Sequence, residues 1–82
     1  MYWNTINNGC YEFTKKFHYA PDVIYMNRDT YNKLEAEMYG VQLLAMQKHN
    51  SVRGLKIFVD YNLPNDIIYI ICGKDGDCVV GK

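Results

Sequence analysis

The chain has 82 residues, 49 % of them apolar and 22 % charged, a composition that folds around a core and excludes an extended disordered chain. That length leaves room for one small domain, and nine basic against nine acidic side chains give a net charge of zero, which leaves no strong field for nucleic-acid phosphates and weighs against a mimic of their charge. No apolar stretch approaches the roughly 20 residues of a membrane span, and Met1-Tyr2-Trp3-Asn4 has neither the basic start nor the apolar run of a signal peptide, so a cytoplasmic chain with no membrane partner is expected.

Apolar side chains at Tyr2, Ile6, Cys10, Phe13 and Phe17 recur at three and four positions, which predicts a helix over 2–17 with one buried face. Asn7, Asn8 and Gly9 weaken it, because Gly costs about 1 kcal/mol against Ala in a helix. Ala20-Pro21-Asp22 ends it. Val23 to Met26 is a short apolar run bounded by turn residues and reads as a buried strand. Asn27 is placed to cap a following helix. Tyr31, Leu34, Met38, Val41 and Ala45 keep helical spacing, which predicts a helix from Arg28 to about Met38 and leaves its continuation past Gly40 to His49 open.

His49-Asn50-Ser51 is a polar break. Leu55 to Asp60 reads as a strand with Leu55, Ile57 and Val59 on one face, and Tyr61 to Asp66 as a turn. The near-continuous apolar run Ile67 to Cys72 suggests a central strand covered on both faces, paired with the previous one as an antiparallel hairpin. The Asp75-Gly76 turn then predicts a last short strand over Cys78 to Val80. The fold class expected is α+β, a single domain over residues 1–82 in the order helix, strand, helix, strand, strand, with one mixed sheet and its helices on one face.

Candidate chemistry is sparse. His18 and His49 share no element with each other, and neither has a cysteine or carboxylate at ligand spacing. Lys74-Asp75-Gly76-Asp77 lacks the remaining ligands of a calcium loop. Glu35 and Glu37, two apart on a helix, point to different faces and are expected to be solvated. Cys10, Cys72 and Cys78 form an odd set without a C-x-x-C pair. Cys72 and Cys78 could meet across the Asp75-Gly76 turn, but a reducing compartment favours three free thiols. No base partner for a nucleophilic cysteine is legible. The chain is therefore expected to be no enzyme, with no catalytic residues, metal or cofactor.

Two small basic clusters stand out, Lys15 and Lys16 with His18, and Lys48 with Arg53 and Lys56. Together they would serve a small regulator that contacts nucleic acid, the alternative that the zero net charge weighs against. The stronger bias is toward Tyr and Asn, eight of each. Tyr supplies large contact area at low entropic cost and is enriched where proteins meet, although an AT-rich genome or packing at the core's edge gives the same bias. Tyr31, Tyr39 and Tyr61 are the interface candidates, the first two eight apart on a continuous helix.

The stretch Pro21-Asp22-Val23-Ile24-Tyr25-Met26-Asn27, leading into a helix, and the later Gly54-Leu55-Lys56-Ile57 strand that runs on to Leu63-Pro64 resemble the axial domain of the tailed-phage major capsid proteins. About half of the chain is covered by short motifs. The resemblance implies a detached capsid-like domain, a phage-encoded accessory or a binding module on that scaffold, since 82 residues hold neither a long spine helix nor an extended arm. The reading that follows is a non-enzymatic protein of phage or mobile-element type that binds another protein or itself, as a homo-oligomer.

Overall fold

A computed structural model describes residues 2–38 and 40–82, apart from the side chains of 41, 42 and 45. The elements run α1 (Tyr2–Phe17), β1 (Val23–Met26), α2 (Arg28–Glu37), α3 (Gly40–His49), β2 (Ser51–Val52), β3 (Leu55–Val59), β4 (Tyr69–Cys72) and β5 (Cys78–Gly81), with a 3-10 turn at Lys74–Gly76 between the last two. The α+β class and the single mixed sheet expected from the periodicities are present.

Helix α1 buries Ile6, Cys10 and Phe13 and closes at His18, whose φ of 64° turns its N–H back to the Thr14 carbonyl at 2.8 Å, a left-handed C-terminal stop. Gly9 has a packing reason. A Cβ there would lie 2.8 Å from Ile71 Cδ1 and from the Tyr69 hydroxyl, so its bare backbone lets α1 settle onto β4. Asn27 caps α2 as expected, its side chain accepting from Thr30 N at 2.8 Å. Met38 then adopts extended backbone and enters the core, while Gly40 at φ 53° starts α3. The 28–49 stretch is thus two helices, and Gln47 Nε2 ties α3 to Glu35 on α2 at 2.8 Å.

The strand order is β2-β3-β1-β4-β5, which corrects one expectation. Leu55–Val59 and Tyr69–Cys72 share a sheet but are not hairpin neighbours, because β1 lies between them, parallel to β3 and antiparallel to β4. The connection over 60–68 is long enough to step across one strand, and Asp60 N donates to Met26 O at 2.8 Å where it leaves β3. β4 is not covered on both faces either: Tyr69 and Ile71 are buried, while Ile70 and Cys72 are half-buried on the other side. The polar break before β3 contains a strand of its own, joined to β3 by a two-residue turn with Arg53 at φ 52° and Gly54 at φ 78°, the signs a tight hairpin turn requires.

All the helices pack on one face. Ile24, Met26, Leu55, Ile57, Tyr69 and Ile71 from the sheet meet Ile6, Cys10, Phe13, Leu34 and Met46 from the helices, and Met38 just past the end of α2, in one apolar cluster. The expectation of three free thiols is also corrected. Cys72 and Cys78, opposite one another in the β4–β5 register, form a disulfide, and Cys10 alone is free and buried. Glu35 and Glu37 are engaged rather than merely solvated: the Glu37 carboxylate accepts the N–H groups of Tyr2 and Trp3 at 2.8 and 3.0 Å.

Candidate functional site

Strand residues alternate between the two faces of a sheet, so each residue turned toward the helices here leaves a neighbour turned away. On β1 that neighbour is Tyr25, on β3 Phe58, on β4 Ile70 and on β5 Val80. The register aligns them. Tyr25 is opposite Phe58 on one side and Ile70 on the other, and Ile70 is opposite Val80, giving an unbroken apolar row across four strands. Tyr25 is 36 %, Phe58 40 % and Val80 52 % exposed. A second row beside it runs Lys56, Val23, Cys72, Cys78.

The two rings in the row stack, with centroids 5.4 Å apart and planes inclined by 23°. Lys56 Nζ lies 5.4 Å from the Phe58 centroid, which covers one flank of the pair and leaves its charge in water. Among the described residues, no helix covers this side of the sheet.

The residues singled out from sequence are scattered by comparison. Tyr31 is half-buried and packs against the core, with the Arg28 guanidinium 5.7 Å from its ring; burial raises its hydroxyl pKa, as does the Glu35 carboxylate, against Arg28. Tyr61 is 74 % exposed in the 60–68 connection. Tyr39 lies outside the described residues. Lys15 and Lys16 are exposed on the last turn of α1 and Lys48 on that of α3. Arg53 lies in the β2–β3 turn, whereas Lys56 emerges on the open sheet face. The five cations therefore form no single stripe. The Tyr25–Phe58 pair was missed, yet its signal was available: once Leu55, Ile57 and Val59 are assigned inward, Phe58 must face outward, and Ile24 and Met26 do the same to Tyr25.

A cleft of about 430 Å³ lies between α1, the 20–21 segment and the β2–β3 hairpin, lined by Cys10, Tyr11, Thr14, Ala20, Pro21, Arg53 and Leu55. It brings the Cys10 thiol near no histidine or carboxylate among those residues. Among the described residues, no three or more His, Cys, Asp or Glu side chains are grouped to hold a metal ion, and no helix is long and apolar enough to cross a membrane.

Comparison with protein-family models, with curated proteins and with solved structures finds no match to this chain.

Proposed function

We propose that this chain is a non-enzymatic binding module that associates with a second copy of itself through its open sheet face, on a scaffold resembling a capsid axial domain. The observation that carries the reading is the aligned row Phe58, Tyr25, Ile70 and Val80, since a contiguous exposed apolar patch of this kind on a small domain marks an interaction surface. Three features favour a second copy as the occupant. Net charge is zero, so copies meet without long-range repulsion. Sheet faces pack on one another at about 10 Å with interdigitating side chains, and a two-fold pairing sets the same row against itself. The molecule measures only 32 × 26 × 20 Å, so a pairing that covers one side of it adds the burial that a chain this short lacks on its own.

Lys56 beside the Tyr25–Phe58 pair favours a second reading, since aromatic side chains and a cation on a sheet face also suit single-stranded nucleic acid. It ranks lower because the two rings stack on each other and because Ile70 and Val80 offer a base neither charge nor hydrogen bonds.

Sedimentation velocity from low micromolar to near-millimolar concentration tests the proposal. A concentration-dependent dimer that Phe58→Lys and Tyr25→Lys abolish, with the melting temperature of the monomer retained, supports it. A chain that stays monomeric throughout overturns it, and salt-sensitive binding of a single-stranded oligonucleotide that Lys56→Ala weakens would transfer the face to the second reading.

A further inference from the structure

Cys72 and Cys78 are directly opposite in the antiparallel β4–β5 pair, with Cα atoms 4.2 Å apart. The next pair toward the turn, Gly73 and Asp77, is joined by a hydrogen bond from Gly73 N to Asp77 O at 2.9 Å, so the cysteines occupy the non-hydrogen-bonded position, where side chains of facing strands come closest. They share the parity of Ile70 and Val80, which puts the bridge on the open face. Cys78 is exposed and Cys72 half-buried.

The turn does not depend on the bridge. Besides the Gly73–Asp77 bond, Asp77 N donates to Lys74 O at 3.2 Å, and the Tyr19 hydroxyl, 2.6 Å from Lys74 O and 2.9 Å from Asp77 Oδ2, fastens the turn to the end of α1. Asp75 and Gly76 supply the left-handed backbone it needs, at φ 61° and 79°. A bridge of sequence separation 6 closes a short loop and removes comparatively little disorder from the unfolded chain. Cys78 is on the exposed side of the bridge, and the turn has fastenings besides it.

We infer that Cys72–Cys78 is a thiol–disulfide exchange site, open in the native protein to small-molecule thiols that attack at Cys78. A thiolate RS⁻ bonds to Cys78 Sγ, the Cys72–Cys78 bond breaks, and Cys72 Sγ leaves as a thiolate that takes a proton from water. A second RS⁻ attacks the R sulfur of the mixed disulfide, releasing R–S–S–R and the Cys78 thiolate. Two thiols are oxidised and the bridge is reduced by two electrons. The bridge lies on the face proposed to pair, so the exchange concerns the monomer, and the experiment is run both below and above the concentration at which a dimer forms.

Cys10, only 4 % exposed on the buried face of α1, is an internal reporter of unfolding. Native, unreduced protein is treated with reduced glutathione, pulsed with iodoacetamide and mapped by mass spectrometry. The expected result is a starting mass two hydrogens below that of the reduced chain, then alkylation of Cys72 and Cys78 while Cys10 stays protected. A starting mass without that deficit, a bridge that survives the thiol, or labelling of Cys10 in step with the other two overturns the inference. Exposure to oxidised glutathione tests the point of attack: Cys72→Ser should form an adduct on Cys78 faster than Cys78→Ser forms one on Cys72, and the reverse order overturns the assignment to Cys78.

Discussion

Tyr69 and Gly81 face each other across β4 and β5, and the phenol ring lies directly over the glycine, in the space a Cβ would occupy. The ring is clasped from its other side by α1, where its hydroxyl donates to Thr5 O at 2.9 Å. Burial raises the pKa of that hydroxyl above its ordinary 10.0, with Cys10 adding to the shift. An edge glycine under an aromatic ring is thus part of how β5, one of the two edge strands, is held to the helix layer.

Gly81→Ala is expected to destabilise the protein by about 1–3 kcal/mol, the range for overpacking a filled core, because the added methyl meets the body of the ring rather than a movable tip. Urea unfolding measures it. Wild-type stability in the variant would show that the ring moves aside freely.

Glu37 links the end of α2 to the start of α1. Burial acts to raise its pKa, but the N–H groups of Tyr2 and Trp3 outweigh that and leave it lowered from 4.5, as for a carboxylate at a helix N-terminus. Glu37→Gln should lose about 1 kcal/mol, the usual worth of an N-terminal cap. Since the folded pKa is the lower one, the contribution is present above 4.5 and disappears as pH falls through the folded value. Denaturant curves for the two proteins should therefore separate at neutral pH and converge in acid; a constant gap contradicts the electrostatic origin.

The elements were legible because each rests on local pattern. The 3.6-residue spacing of Ile6, Cys10 and Phe13, the apolar run Val23 to Met26 and the Asn27 cap all depend on near neighbours. Strand order was not legible. Leu55–Val59 and Tyr69–Cys72 read as a hairpin because they are consecutive, and nothing in either strand says that Val23–Met26 lies between them; that pairing is settled by long-range packing of Ile24 and Met26 under the helices. The same limit applies to the surface. Tyr31, Tyr39 and Tyr61 stood out through residue type, whereas the apolar row on the sheet exists only once four strands are in register.

The two described members of that Tyr set should separate cleanly. Tyr31→Ala removes a half-buried ring packed on the core and is expected to cost about 1–3 kcal/mol, while Tyr61→Ala, on an exposed turn, should stay within about 0.5 kcal/mol of wild type. Thermal melts of the two variants decide it, and a large loss for Tyr61→Ala would reveal a packing role that its exposure does not suggest.

Tyr19 gives the alkaline counterpart to Glu37. Its hydroxyl is pushed up from 10.0 to about 12 by burial, by the hydrogen bond to the Asp77 carboxylate, and by the charges of Asp77, Asp75 and Asp22. The neutral phenol is the form that the fold holds, so between these two values the folded state binds the proton that the unfolded chain has released. Stability falls wherever the folded state binds more protons than the unfolded one. The contribution of Tyr19 is therefore complete below about 10 and is lost as pH rises toward about 12. Tyr19→Phe should melt below wild type at neutral pH, because it frees Lys74 O and Asp77 Oδ2, and should show a shallower loss of stability across the alkaline range. Tyr31 and Tyr69, whose hydroxyls are also raised, contribute to the slope that remains. Melting temperatures of both proteins from neutral pH into that range measure the difference, and parallel curves would mean that the Tyr19 hydroxyl does not titrate with folding.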